Sequence, residues 1–300
     1  MPRVSILIPT YNQSGYVVQA VESALAQDYD DLEVVVSDDA SSDDTQAVLE
    51  RYRSHPRVHI FRNERNLGRV ANYRESLYRR ARGEWVLNLD GDDYLCDDRY
   101  ISDALDLARR DTGVDLVFAN VRRWDEADRS FRENTVNAAV AEITRGPDLF
   151  LLLPPGDINL YHATCLYKAD KARSLDFYRR DILSADWESL HRYILSGKVG
   201  FVNRQVAVWR LHGRNATARR TAAVRADDLE SIAGPYREAH ERQVFPERVL
   251  QQWYQRMLFR VAAKDAQALL RRRDVSGFDF YMKRLRELDQ SVHRKVLMTP

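Results

Sequence analysis

Apolar and polar residues alternate in blocks along the first 120 positions. "VSILI" (Val4–Ile8) is a short, wholly apolar and β-branched run. Such a run suits a strand buried on both faces of a parallel sheet. "PTYNQSG" breaks it, and Val17, Val18, Val21 and Leu25 then follow helical spacing. "LEVVVS" (Leu32–Ser37) predicts a second strand, ended by "DDASSDDT", where Ser42 or Asp43 can cap a helix running through Val48 and Leu49. "VHIFR" (Val58–Arg62) predicts a third strand, "RVANYRESLYRRA" a helix and "EWVLNL" a fourth strand with Asp90 at its carboxyl end. "DLVFAN" (Asp115–Asn120) predicts a fifth.

Strand–helix alternation of this kind implies a mostly parallel sheet with helices on both faces. Ligands of such sheets sit beyond the carboxyl ends of the strands. Three polar clusters fall there: Thr10-Tyr11-Asn12, Asp38-Asp39 and Asp90-Asp92. Beyond Val121 the pattern changes. "NLYHATCLYKAD" reads as a strand, "ADWESLHRYILSG" as a helix ending at Gly197, and "VAVWRLH" as a strand. From about Ala222 the chain reads as helical, punctuated by Pro235 and Pro246. The expected division is 1–120, 121–218 and 219–300.

Composition narrows the function classes. The 300 residues are 44% hydrophobic and 30% charged, as in a globular protein with a proper core. "VSILI" and "LFLLL" are too short to span a bilayer, and the first residues lack the pattern of a signal peptide. Cys96 and Cys165 are the only cysteines and encode no disulfide framework or zinc site. A cytoplasmic location is therefore expected, and nothing points to nucleic acid. Net charge is +1, but residues 251–300 hold 11 Lys or Arg against 5 Asp or Glu, so about +6 of charge lies in that tail.

The stretch "VLNLDGDDYL" carries Asp90, Asp92 and Asp93. Asp and Gly crowd together in ordinary turns. Acids at a strand's carboxyl end also suit a divalent cation, which takes oxygen ligands and brings phosphates with it. No G-x-G, G-x-x-x-x-G-K-[ST], H-E-x-x-H or G-x-S-x-G occurs. Their absence disfavours dinucleotide enzymes, P-loop enzymes, zincins and nucleophile-elbow hydrolases.

"VSILIPTYN", "VVVSDDASSDDT", "NLGRVAN", "GEWVLNLDGDDYL" and "SADWESLHRYILSG" follow one another in this chain. In that order they resemble the family 2 glycosyltransferases of GT-A fold, over roughly residues 2–120 and again around 184–213. The resemblance implies a Rossmann-like α/β domain, here with a helical C-terminal extension. It further implies an inverting, metal-dependent transfer of a sugar from a nucleotide sugar, by family habit a UDP-sugar, to an acceptor hydroxyl in cell-surface polysaccharide or glycoconjugate synthesis. The acceptor would be a saccharide or lipid-linked saccharide.

Roles follow position by position. Pro9, Thr10, Tyr11 and Asn12 look like the first nucleotide loop, with Tyr11 against the base; Tyr11 covering the sheet edge is the plainer alternative. Asp39 would accept a hydrogen bond from the base imide, and Asp38 reads as a turn acid. Asn66 and Arg69 would lie near the nucleotide and diphosphate. Asp90 would contact ribose or metal-bound water, and Asp92 would ligate Mn²⁺ or Mg²⁺. Asp93 reads as a cap. His212 matches a position that can contact metal or diphosphate, or is a satisfied loop histidine. Asp186 matches the general base, although Ala185 stands where the family often has an acid; Glu188 is the alternative base. His162 and Trp187 fit either an acceptor pocket or plain packing.

Two rival functions stand beside this one. A nucleotidyltransferase also places carboxylate-bound metal at a parallel sheet, but needs a triphosphate loop that "PTYNQSG" lacks. A catalytically silent sugar-nucleotide-binding protein would not need Asp39, Asp90, Asp92 and Asp186 together. The basic C-terminal helices could pack on the catalytic domain, dock peripherally on the inner face of a membrane, or form a homodimer.

Overall fold

The computed structural model describes residues 3–132, 137, 140–153, 158–216 and 220–299. The elements run β1 (Val4–Thr10), α1 (Val17–Leu25), β2 (Leu32–Asp38), α2 (Thr45–Leu49), β3 (Val58–Arg62), α3 (Arg69–Glu75), β4 (Trp85–Asn88), β5 (Tyr94–Leu95) and α4 (Tyr100–Arg110). Then follow β6 (Val114–Asp125), β7 (Ser130–Arg132), β8 (Ile143–Arg145), α5 (Gly146–Leu152), β9 (Leu166–Lys168), α6 (Ala169–Ser174), α7 (Ala185–Tyr193) and β10 (Lys198–Leu211). Helices α8 (Ala222–Asp228), α9 (Glu230–Glu241), α10 (Glu247–Arg271), α11 (Val275–Leu288) and α12 (Gln290–Leu297) complete the chain.

One sheet carries the strands in the order β3-β2-β1-β4-β9-β6-β10-β5, with β7 on β6 and β8 on β10. The pairs β1–β2, β1–β4, β2–β3 and β6–β10 are parallel; the other five are antiparallel. The sheet is thus mixed, not mostly parallel as the alternation implies. The reason lies with β9. It follows α5 and a 3₁₀ turn at His162–Thr164, and slots between β4 and β6 running against both. Only three residues of the expected strand in "NLYHATCLYKAD" join the sheet.

Alternate side chains of the central strands feed two cores, as the two-residue repeat of a strand requires. Ile6, Ile8, Val34, Val36 and Leu87 pack with α1 and α4 on one face. Leu7, Val35 and Val86 face the other, where Tyr73, Leu190, Leu229, Trp253 and Tyr281 share one core with them. Helix α1 turns Val17, Ala20, Val21 and Ala24 inward at helical spacing. The 13 residues expected as one helix after Gly68 divide into α3 and a π-helical turn, Ser76–Arg80, closed by Ala81 N–H donating to Ser76 O at 2.8 Å. Pro246 precedes α10 as expected, but Pro235 lies inside α9 without ending it. Among the described residues no helix is long and apolar enough to cross a membrane.

Candidate active site

The carboxyl ends of β1, β2 and β4 are tied together by their backbones. Asp39 N–H donates to Thr10 O at 2.9 Å, and Gly91 N–H donates to Pro9 O at 3.1 Å. The three polar clusters therefore meet at one edge of the sheet, with β1 in the middle. A Cβ at Gly91 would lie 2.5 Å from Gln13 Oε1 and 2.8 Å from Thr10 Oγ1, so any side chain there would displace these two groups.

On the β2 side, Asp39 is buried and organises the next loop. Its Oδ1 accepts from Asn63 Nδ2 and Leu67 N–H, each at 2.8 Å, and Oδ2 accepts from Gly68 N–H at 2.9 Å. Gly68 has φ +92°, which a side chain would strain. Asn66 Oδ1 accepts from the same N–H at 3.1 Å. Asp38 serves its own turn, Oδ1 accepting from Ser41 N–H at 3.1 Å and Oδ2 from Gln46 at 2.6 Å. Asn12 adopts φ 53° and braces "ASSDD", its Oδ1 accepting from Ser42 N–H at 2.8 Å. Asp43 Oδ1 accepts from Thr45 N–H at 3.0 Å at the start of α2. Tyr11 is 46% exposed at the mouth of this arrangement.

On the β4 side, Asp90, Asp92 and Asp93 each offer a carboxylate oxygen, all within 4.8 Å of one another. Tyr73 O–H and Asn88 Nδ2 donate to Asp90 Oδ1 at 2.8 and 3.1 Å. His212 Nε2 lies 2.9 Å from Asp92 Oδ2. Its Nδ1 accepts from Arg214 N–H at 3.2 Å, so the ring proton sits on Nε2 and is donated to Asp92, and Tyr16 stacks on the ring at 5.1 Å. Asp93 Oδ1 accepts from Arg210 N–H at 2.9 Å, while the Arg210 guanidinium donates to Asp92 O at 2.7 Å. Asp93 thus faces the group rather than capping a turn from outside. Burial pushes the Asp93 carboxyl well above its usual range, and the Asp92 and Asp90 charges add to this. Burial also raises Asp90, against the pull of His162. Acids arranged in this way favour a bound cation. A set of carboxylate oxygens fits Mn²⁺ or Mg²⁺ better than a soft metal, with His212 beside them as a hydrogen-bond partner of Asp92.

The two acids of α7 have opposite surroundings. Glu188 is wholly buried, its Oε1 accepting from Arg192 Nε at 2.9 Å and Arg179 Nε at 3.0 Å. Among the described residues, no hydrogen bond or ion pair engages the Asp186 carboxylate, which is partly exposed. Arg69 stands between this helix and the acids. It donates to Ile182 O at 3.1 Å, to Leu183 O at 2.5 Å and to Tyr73 Oη at 3.3 Å. Burial works against its charge, but Tyr73, Asp186 and Asp90 outweigh that and raise its pKa above the ordinary value. His162 is held by Tyr178 Oη at 2.7 Å and Asn88 at 3.4 Å, and Trp187 packs on His191.

Tyr73, Asn88, Arg210 and Tyr16 belong to the site although sequence reasoning did not single them out. Two carried a signal: Tyr73 falls one helical turn after Arg69, and Arg210 stands two strand positions before His212.

Comparison with known proteins agrees with this architecture. An Escherichia coli chondroitin synthase is 42% identical over 126 residues, which is 42% of this chain and 18% of that protein. The matched stretch is thus under one fifth of that relative's length. Staphylococcus aureus TarS, residues 1–349, superposes with a TM-score of 0.73 at 17% identity, covering 97% of this chain and 82% of that one; its complex with UDP-GlcNAc gives 0.68 at 18%, covering 98% and 90%. The mannosyltransferase PcManGT from Pyrobaculum calidifontis, in complex with GDP-Man and Mn²⁺, gives 0.61 at 18%, covering 94% and 74%. Residues 5–184 match the family described as Glycosyl transferase family 2, and the chain belongs to that family.

Proposed function

We propose that this protein is an inverting, divalent-metal-dependent glycosyltransferase that moves a sugar from a nucleotide sugar, a UDP-sugar, to an acceptor hydroxyl. The observation that supports this reading is an acidic cluster just after β4, linked through Tyr73 and Arg69 to the start of α7, where the Asp186 carboxylate has no hydrogen-bond or ion-pair partner among the described residues. TarS, similar in fold, is known with UDP-GlcNAc, and PcManGT with Mn²⁺. In this reading residues 1–120 hold the donor, 121–218 bring the acceptor and the base, and 219–300 support them. A saccharide or lipid-linked saccharide is the proposed acceptor, with cell-surface polysaccharide or glycoconjugate synthesis as the setting, on the cytoplasmic side of the membrane.

Each chain group has a task. Pro9 to Asn12, Asp39 and Asn66 shape the nucleotide pocket, with Tyr11 against the base and the free lone pair of Asp39 Oδ2 toward its imide. Asp90, steadied by Tyr73 and Asn88, faces the ribose. Asp92 would hold Mn²⁺ or Mg²⁺, with His212 beside it; when bound, the ion supplies charge neutralisation to the departing diphosphate. Asp186 takes the proton from the acceptor hydroxyl as its oxygen bonds to the anomeric carbon. The glycosyl C–O bond to phosphate breaks in the same step, and the electron pair leaves with the nucleoside diphosphate. One displacement inverts the anomeric centre, and no covalent sugar–enzyme species forms. The burial of Glu188 between two arginines supports Asp186 over it in this role.

Calorimetry of UDP with and without Mn²⁺, for wild type and Asp92→Ala, tests the reading. Metal-dependent binding that vanishes in the variant is expected; equal binding in both would refute the metal site. Thermal shift against a panel of nucleotide sugars names the donor, and no stabilisation by any of them would refute donor binding.

A further inference from the structure

Asp186 is the second residue of α7, so its position depends on how that helix begins. The residue before the helix, Ser184, makes no side-chain cap to its own helix. Serine at this place ordinarily accepts from the amides of the first turn. Here Ser184 is turned outward to Asp228, the last residue of α8. Ser184 N–H donates to Asp228 Oδ1 at 2.6 Å, and Ser184 Oγ–H donates to Asp228 Oδ2 at 2.9 Å. Asp228 is 7% exposed, and its one cationic neighbour is Arg220 at 3.5 Å among the described residues. Burial pushes its carboxyl up, the Ser184 donors pull it down, and the Asp186 charge pushes it up again. Immediately upstream, Arg69 grips the carbonyls of Ile182 and Leu183. The three residues 182–184 are therefore pinned from the donor side by Arg69 and from the C-terminal helices by Asp228.

We propose that Asp228 is a positioning residue: through both donors of Ser184 it fixes the first turn of α7 and so aims Asp186 at the acceptor hydroxyl. This rests on Asp186 being the general base. A carboxylate accepting two bonds from one residue restrains both the backbone and the χ1 of that residue. Small displacements of a reacting group carry large rate penalties. The Asp228 carboxylate hydrogen-bonds only to Ser184 and Arg220 among the described residues, so its loss should leave the nucleotide pocket intact.

The test uses the full chain with Mn²⁺, measuring UDP release from UDP-GlcNAc or whichever UDP-sugar binds. Asp228→Ala should lower kcat roughly ten- to a hundredfold while the UDP Kd stays within about twofold. Asp228→Asn, whose amide oxygen still accepts from Ser184 N–H, should recover much of the loss. Asp228→Ala added to Asp186→Asn should cost nothing further, because the group it aims is already disabled. A folded Asp228→Ala with wild-type kcat would overturn the proposal. So would a double variant that loses the same factor again, since that marks a general structural effect. If Asp228→Ala does not fold, Asp228→Asn and Ser184→Ala decide: a reduced kcat in Ser184→Ala at unchanged UDP affinity supports the role, and full activity in both removes it. Wild-type turnover in Asp186→Asn would overturn the base assignment itself, and this role with it.

Discussion

Replacing Asp39 with alanine separates its two tasks. In the folded chain its carboxylate receives Asn63 Nδ2, Leu67 N–H and Gly68 N–H. Hydrogen bonds to a charged group contribute about 1.5–3 kcal/mol each, which would total at least 4–5 kcal/mol if every donor were stranded. They are not all stranded. Leu67 is 38% exposed, so water can reach this part of the loop. Asn63 Nδ2 retains Asn72 Oδ1 at 3.1 Å. A net destabilisation of about 2–3 kcal/mol follows, or roughly 4–12 °C in Tm at 2–4 °C per kcal/mol. The nucleotide adds a separate quantity: one bond to the base, about 1–3 kcal/mol, or roughly five- to 150-fold in UDP Kd. Scanning calorimetry measures the first and titration calorimetry with UDP and Mn²⁺ the second, below the variant's melting range. A lowered Tm with unchanged UDP affinity would refute base recognition and leave Asp39 as a loop anchor. An unchanged Tm would refute the loop argument.

Asp186→Asn should lower kcat by roughly two to four decades at unchanged donor affinity, measured by steady-state kinetics; loss of donor binding instead would place Asp186 in the donor site. Glu188→Gln should act on stability: breaking a buried ion pair costs about 3–5 kcal/mol, so the urea midpoint falls while activity per folded molecule is kept. Gly91→Ala should weaken Mn²⁺-dependent UDP binding, because its Cβ would push Gln13 and Thr10 aside; normal binding in titration calorimetry would show that these side chains yield freely. Burial holds His191 neutral, with its pKa lowered to about 4 from an ordinary 6.5. The unfolded chain therefore binds more protons between these values, so this contribution is complete above pH 6.5 and falls by about 3 kcal/mol as pH drops to 4. Urea titrations at pH 7 and 5 should show the loss, and His191→Phe should flatten it.

Strands β1 to β4 and the clusters at their ends were legible because apolar β-branched runs broken by polar turns have few other solutions. The mixed sheet was not, because β9 has only three residues and gains its place from two neighbours distant in sequence. Asp186 and Glu188 were separable on helical geometry alone, since residues two apart on a helix point about 200° apart. Which of them is left without an ion-pair partner depended on Arg179 and Arg192. Arg192 lies one turn from Glu188 and was readable as a partner; Arg179 was not. Asp228 left no signal at all, because its partner Ser184 lies 44 residues away and neither residue is unusual where it stands.

The core beneath β1, β2 and β4 does not end with the sheet's own helices. Trp253 of α10 stacks on Phe150 of α5 at 4.0 Å and donates its indole N–H to Phe150 O at 2.9 Å. Leu250, Leu258, Tyr281 and Leu285 lie in the same apolar cluster as Leu7 and Val35. A chain stopped after β10 would therefore not be a smaller enzyme. It would present a bare hydrophobic flank to water and should accumulate as insoluble material. Shortening, circular permutation or fusion of this protein has to respect α8–α12 as one wall of the molecule.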